Sequence, residues 1–264
     1  MIFDLSKRRR AVRPSPIFLG FVALAVLGGI GAWRDDTQGS RAGDFAVFVM
    51  VVGAWVVSLS LHEFAHAYLA YRAGDRSVEA AGYLTLNPLK YAHPLLSIVL
   101  PLLFIVAGGI GLPGGAVYLH PHTFRSRAMR SAAAAAGPLT NVAFAVVTLA
   151  VVNAQLDGTT HVRFWTGLAF LGFLQVTAAV LNLLPVPGLD GWAIIEPYLD
   201  PETVRGAEKI KPWGMLGIIV LLQVSQINQW FFDLVYRIFG VSGVPQLAAE
   251  YGRQFFRFWQ KQPF

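Results

Sequence analysis

The sequence predicts an all-α polytopic membrane protein of about five to six transmembrane helices, with a small membrane-associated β-hairpin and a re-entrant segment. Three observations carry this prediction. Only 14% of the 264 residues are charged and 55% are hydrophobic, against about 25% charged in an ordinary globular domain. The charges are also clustered, leaving charge-free runs at Pro14–Trp33, Phe45–Leu61, Tyr91–Phe124, Ser131–Leu156, Phe164–Leu189 and Pro212–Phe232. A bilayer core of about 30 Å needs roughly 20 apolar helical residues, so most of these runs are long enough to span. Finally, the stretch from His93 to Gly115 is interrupted by Pro101, Gly108, Gly109 and Pro113 and does not read as a plain helix.

The net charge of +6 does not indicate a nucleic-acid partner, because the basic residues flank apolar runs. Lys7, Arg8, Arg9, Arg10 and Arg13 precede the first run, and positive flanks mark cytoplasmic ends, which places the N-terminus inside. A cleaved signal peptide fits residues 1–33 poorly: the small-residue cleavage pattern is weak and further spans follow. Cysteine is absent, which excludes disulfides and thiolate metal sites.

The elements follow in order. The first span is expected at about Ile17–Trp33, and the polar loop RDDTQGSRAGD leads to a second at about Ala46–Tyr71. In the polar region GDRSVEAAGYLTLNP, the alternation and β-formers of GYLTL predict a short strand or hairpin near the membrane surface. The Pro- and Gly-broken segment comes next, then the basic HTFRSRAMR and a span at about Ser131–Val152. The loop NAQLDGTTHVR precedes a span at about Phe164–Leu184, and a last span is expected at about Met215–Phe239. The tail RQFFRFWQKQPF alternates basic and aromatic residues and reads as an interfacial amphipathic segment, with a solvated tail as the alternative.

Inside the second run lies LSLHEFAHAYLA, from Leu59 to Ala70. Ionisable residues at membrane depth are costly and usually mark function. His62-Glu63-x-x-His66 is an H-E-x-x-H pattern. At 3.6 residues per turn the two histidines lie about 40° apart on one helical face, with Glu63 about 60° further round. Both imidazoles can therefore reach one ion, and Glu63 is placed to take a proton from water at that ion, the arrangement of zinc hydrolases. Histidines that merely hydrogen-bond within a bundle are the alternative, but they leave Glu63 unexplained.

Two histidines leave a catalytic zinc short of a third protein ligand. Asp190 stands out within LNLLPVPGLDGW, residues 181–192. Pro185 and Pro187 break the helix, and Gly188 and Gly191 allow the backbone to turn sharply about Leu189-Asp190. Irregular backbone at membrane depth is tolerated only where it faces protein or a water cavity. An ordinary aspartate in a cytoplasmic turn is the alternative.

With these residues in place, the chain resembles the site-2 protease family of zinc intramembrane metalloproteases, in its compact prokaryotic form. That family pairs H-E-x-x-H with a downstream N-x-x-P-x-P-x-L-D-G, matched here from Asn182 to Gly191. A third element, G-P-x-x-N, reads Gly137-Pro138-Leu139-Thr140-Asn141. The resemblance runs from about residue 46 to 192. It implies one zinc per chain, held by His62, His66 and Asp190, with Glu63 as catalytic base and with Asn141 and Asn182 lining the site. The fit has a departure. Where the compact branch carries N-P-x-x-H-x-D-P, Asn87-Pro88 is followed by Tyr91 and then His93-Pro94, so the usual His and Asp have become Tyr and His. No PDZ-like or CBS-like attachment is read.

The ligand set constrains topology. Residues 62, 66 and 190 must share one depth. A full crossing by Pro94–Pro113 would put Asp190 about 30 Å from the histidines. A re-entrant or half-inserted Pro94–Pro113 keeps all three near the cytoplasmic end and leaves RSRAMR inside. The zinc is then expected roughly 10 Å in from that end of the second helix.

The chain is thus expected to be a single membrane-embedded metalloprotease domain over residues 1–264, with a catalytic core at about 46–192 and a C-terminal helix and tail at 212–264. The expected function is hydrolysis of peptide bonds in or near transmembrane segments of protein substrates, in a prokaryotic plasma membrane, with the site toward the cytoplasm. Its expected partners are the lipid bilayer and a transmembrane protein substrate, whose unwound segment the Gly82–Leu86 strand can hold by strand addition. The alternative is a zinc-binding membrane scaffold or chaperone without turnover. A metal transporter is disfavoured, because no ladder of intramembrane ligands accompanies the single His/Asp cluster.

Overall fold

The first two long helices start at serine caps that the sequence supplies. The computed structural model describes residues 12–37, 39–91, 123–155 and 160–260. Helix α1 (Pro16–Arg34) opens on Ser15, whose hydroxyl accepts from the Phe18 amide at 3.1 Å, with Pro16 in the first turn where its missing N–H costs nothing. Helix α2 (Arg41–Ala73) opens on Ser40 in the same way and closes on Gly74, at φ +122°. The one-turn α3 (Ser77–Ala80) follows; then come α4 (Arg127–Gln155), α5 (Val162–Asn182) and the short α6 (Asp190–Ile195). Helices α7 (Pro201–Ile210), α8 (Gly214–Leu221), α9 (Ser225–Gly240) and α10 (Gln246–Phe256) complete the order. The cap of α5 comes from elsewhere in the chain: the Asp36 carboxylate accepts from the amides of Val162 and Arg163 at 3.2 and 3.5 Å.

Helices α1, α2, α4 and α5 are long and apolar enough to cross a membrane, so the chain is a membrane protein. They pack with alternating direction. Glycines let backbones touch: a Cβ at Gly28 of α1 would lie 2.9 Å from the Ala46 carbonyl, and one at Gly53 of α2 would lie 3.0 Å from that of Phe21. Such close approach is how helices associate where lipid removes the usual hydrophobic drive. The pairings 28 with 46 and 53 with 21 make α1 and α2 antiparallel. His66 with Ala133 and His62 with Asn141 make α2 and α4 antiparallel. Asn141 with Gln175 and Leu149 with Gly172 do the same for α4 and α5. Helix α5 is buried along almost its whole length and forms the centre of the bundle.

The C-terminal end of α2, the N-terminal end of α4 and the C-terminal end of α5 therefore share one end of the molecule. Two contacts agree with this. A Cβ at Gly74 would lie 3.3 Å from the Thr123 carbonyl, and the Ser15 amide donates to the Thr85 carbonyl at 2.9 Å. The expected re-entrant element at Pro94–Pro113, with His93, lies outside the described residues.

Three expectations are corrected. Among the described residues there is no strand, and Gly82–Leu86 is not part of a β-hairpin. Tyr83–Thr85 forms a 3₁₀ turn between left-handed Gly82 (φ +80°) and Leu86 (φ +55°). The Thr85 hydroxyl and amide both donate to the Gly82 carbonyl, at 2.7 and 3.1 Å, and this local turn outcompetes an extended strand. Adjacent Tyr83 and Leu84 are both buried, so the alternation in sequence is not expressed as two faces.

The expected last span, Met215–Phe239, is not continuous. The segments Pro201–Leu221 and Ser225–Gly240 meet at 95°. Four helices rather than five to six qualify as spans among the described residues, or five if this bent pair crosses as one. Polar side chains stabilise the break: the Asn228 amide donates to the Leu222 carbonyl at 3.0 Å. The described part of the tail, residues 253–260, is not a separate surface segment but continues from the packed helix α10. Ala248, Ala249, Gly252 and Phe256 are buried at helical spacing. Phe256 packs against Phe48 and Phe170, with ring centroids 5.1 and 5.5 Å away.

Candidate metal centre

Helix α2 carries His62, Glu63 and His66, and all three are buried. The helical repeat places both imidazoles toward α4, where a break in ordinary side-chain packing makes room for them. Gly137 is that break. A Cβ there would fall against His66 Nε2 and 2.5 Å from His62 Nε2, so any other residue would fill the space between the two rings. Asp190 arrives from beyond the end of α5. Pro185 and Pro187 stop the helix, and the chain turns through bonds from the Val186 amide to the Leu184 carbonyl and from the Leu189 amide to the Val186 carbonyl. Gly188 sits at φ +101°, where a Cβ would press on the Lys211 carbonyl at 2.6 Å. Asp190 then starts α6.

The result is a triangle. His62 Nε2 lies 3.2 Å from Asp190 Oδ2, His66 Nε2 lies 3.4 Å from Asp190 Oδ1, and the two Nε2 atoms are 3.1 Å apart. One donor atom from each residue can be chosen so that all lie within 4.8 Å of one another. Two ligands about 2.0–2.1 Å from a zinc at the tetrahedral angle are about 3.3 Å apart, and the three separations are of that size, with the carboxylate offering a different oxygen to each ring.

The outer nitrogens of the rings fit the same ion. His66 Nδ1 is 2.7 Å from the Ala133 carbonyl and His62 Nδ1 is 2.5 Å from Asn141 Oδ1. Both partners are acceptors, so each ring carries its proton on Nδ1 and presents the Nε2 lone pair to the other ring. Two lone pairs facing each other repel unless a cation lies between them. A histidine whose far N–H is held by a carbonyl is the usual form of a metal ligand. The donor set of two imidazoles and a carboxylate suits zinc.

Of the residues singled out in the sequence, the structure brings His62, His66 and Asp190 to one point and puts Asn141 directly on His62. Asn182 is buried at the last residue of α5, and among the described residues no hydrogen bond ties it to His62, His66 or Asp190. Tyr91, which stands where a histidine was expected from the family pattern, is buried. Its hydroxyl donates to the carbonyls of Ser60 and Tyr83 at 3.2 and 3.3 Å. Burial, and secondarily the Glu63 charge, push its phenol above the ordinary value and keep it a donor.

Proteins similar to this one match it over nearly its whole length. The chain is 51% identical over 251 residues to a protein of Mycolicibacterium smegmatis named "Putative zinc metalloprotease Rip2", covering 95% of this chain and 96% of that one. It is 48% identical over 252 residues to the protein of that name in Mycobacterium tuberculosis H37Rv, covering 96% of each. The chain belongs to the compact site-2 protease family. A more distant relative, "Putative zinc metalloprotease YwhC" of Bacillus subtilis, is 32% identical over 174 residues, 63% of this chain and 76% of that one. No family model and no solved structure matches the chain.

Around this centre, reasoning from sequence missed two groups. Gln175 of α5 bonds both Asn141 and Ser58 from a fully buried position; a lone glutamine within FLQVTAAV is the available signal. Glu196 accepts from Arg130 and from Trp192 Nε1, the latter at 3.0 Å, and Ser131 Oγ donates to the Ile194 carbonyl at 2.6 Å. These bonds fasten α6, and with it Asp190, to the start of α4. Their only trace in sequence is an acidic residue in IIEPYL.

Proposed function

We propose that this protein is a zinc-dependent intramembrane endopeptidase that cuts peptide bonds in or near transmembrane segments of membrane-protein substrates. It holds one zinc per chain through His62, His66 and Asp190. The observation that carries this reading is the convergence of those three side chains, beside a buried glutamate, among helices that are otherwise apolar. The names of the relatives, zinc metalloproteases, support the chemistry.

When bound, zinc polarises the scissile carbonyl and lowers the pKa of water at the site. Glu63 takes the proton from the attacking water and returns it to the leaving amine as the C–N bond breaks. His62 and His66 are held in their ligand orientation by Asn141 and the Ala133 carbonyl. Asn141 thus acts through His62 in this reading, and Asn182 contacts substrate. The substrate helix must unwind before it is cut, because its carbonyls are engaged along the helix axis.

The location proposed is a prokaryotic plasma membrane, with the site toward the cytoplasm. Arg72, Arg76, Arg125 and Arg127 lie at the end of the bundle that holds the site. At the other end Arg34, Arg41 and Arg163 are matched by Asp35, Asp36 and Asp44, with Arg163 paired to Asp44 at 2.8 Å. The rule counts Lys and Arg, and Arg72, Arg76, Lys90, Arg125, Arg127 and Arg130 at the site's end outnumber Arg34, Arg41 and Arg163 at the other, which supports the orientation.

Glu63→Gln tests the proposal. Purified wild type and variant are reconstituted in vesicles with a panel of single-span membrane proteins. We expect chelator-sensitive cleavage by wild type only, with zinc content equal in both. Cleavage by the variant would overturn the role of Glu63, and no cleavage by either would favour a zinc-binding scaffold.

A further inference from the structure

We propose that Gln175 is a positioning residue for the metal centre: through Asn141 it fixes which nitrogen of His62 faces the ion. The inference rests on the zinc-site reading above.

Four buried side chains on three helices form the chain of contacts. Ser58 Oγ donates to Gln175 Oε1 at 2.7 Å, Asn141 Nδ2 donates to the same oxygen at 3.1 Å, and Asn141 Oδ1 meets His62 Nδ1 at 2.5 Å. Gln175 is fully buried, and Ser58, Asn141 and His62 are 2%, 4% and 5% exposed. Both contacts of Gln175 run through its oxygen, while its Nε2 is buried without a partner among the described residues, and each choice of donor and acceptor along the chain constrains the next.

The direction of those choices matters. An asparagine side chain has one acceptor end and one donor end, and nothing in its own shape tells them apart. Asn141 can serve His62 in two ways. With Oδ1 toward the ring it takes the Nδ1 proton and leaves Nε2 free for a metal. With Nδ2 toward the ring it donates to Nδ1, the ring proton sits on Nε2, and the ligand is lost. Gln175 Oε1 selects the first arrangement, because an oxygen there attracts the amide NH₂ and repels the amide oxygen. Ser58, four residues before His62 on the same face of α2, donates to that oxygen and holds Gln175 in place.

The substitution Asn141→Asp would supply acceptors at both ends, and Gln175 meets the new oxygen by turning toward it the Nε2 that has no partner among the described residues. It would hold the Nδ1 proton of His62 without instruction from Gln175. Rescue by this substitution therefore separates orientation from packing.

The experiment compares zinc retention against a competing chelator for full-length wild type, Gln175→Met, Asn141→Asp and the double variant, in the same detergent. Loss of a group that orients a metal ligand lowers affinity by about 10–100-fold, and we expect Gln175→Met to show this. The double variant should stay within about threefold of Asn141→Asp alone. Ser58→Ala, a smaller change, should show the same pattern at lower amplitude and keeps the test open if Gln175→Met fails to fold. Unchanged zinc affinity in Gln175→Met and Ser58→Ala would overturn the inference. So would a loss from Gln175→Met that is equal with asparagine and with aspartate at position 141. A wild type without zinc would instead overturn the metal-site reading itself.

Discussion

His62 Nε2 and Asp190 Oδ2 lie 3.2 Å apart, one near the end of the second helix and the other on the first residue of a short helix that follows a double-proline turn. They meet because α2 and α5 run in the same direction and α5 ends near the level of the histidines, with α4 between them in the opposite sense, while α2 continues to Ala73. The ligands thus share a depth without any residue leaving its natural place in the bundle. What remains specific to the site is local: a glycine on α4, a turn after α5, and hydrogen bonds that aim each side chain.

Gly137 is the most stringent of these local features. Its substitution by alanine puts a methyl group between the two Nε2 atoms. We expect Gly137→Ala to abolish stoichiometric zinc binding, as read by elemental analysis after gel filtration. Gly217→Ala, where a Cβ meets nothing within 4 Å, is the control and should keep its zinc. Full zinc in the Gly137→Ala protein would show that the rings part more readily than their packing suggests.

The bonds from Arg130 to Glu196 and from Ser131 to the Ile194 carbonyl hold α6 against α4, and Trp192 braces Glu196 from α6 itself. Removing either charged partner should let Asp190 drift, because a ligand is only as fixed as the element that bears it. We expect Glu196→Ala and Arg130→Ala each to weaken zinc binding by about tenfold, with the double variant no worse than the more severe single one. A chelator titration measures this. Additive losses would mean that the two residues act separately.

At the far end of the bundle, Arg163 and Asp44 form a buried ion pair at 2.8 Å, and Arg163 also donates to the Asp35 carbonyl at 3.3 Å. Removing one member strands the other charge, which typically costs about 3–5 kcal/mol. Arg163→Met should therefore lower the thermal midpoint in detergent sharply, while Arg163→Met with Asp44→Asn recovers most of the loss. Zinc content should not change in either, since the pair is remote from the triangle. A midpoint shift of the double variant equal to that of the single one would show that the guanidinium contributes by packing over Phe255 rather than by charge.

The four spans are legible in the sequence because length and hydropathy depend only on local composition. Expected and observed limits of α1, α2, α4 and α5 differ by a few residues. The H-E-x-x-H face is legible for the same reason, since both histidines lie on one helix. Gly82–Leu86 misleads because Thr85 and Gly82 prefer a turn whose energetics are invisible to an alternation pattern. The tail misleads because its aromatic residues face other aromatics, Phe48 above all, that lie far away in the chain. Gln175 and Glu196 are visible only as polar residues in apolar surroundings. Which partners they meet depends on helix register, which no single stretch of sequence contains.

The most direct measurement is zinc stoichiometry by elemental analysis of purified wild type beside Asp190→Ala. We expect one zinc per chain in wild type and little or none in the variant, with both proteins equally folded by circular dichroism. Full zinc in both would mean that the third ligand lies elsewhere and that the convergence of residues 62, 66 and 190 is not a metal site.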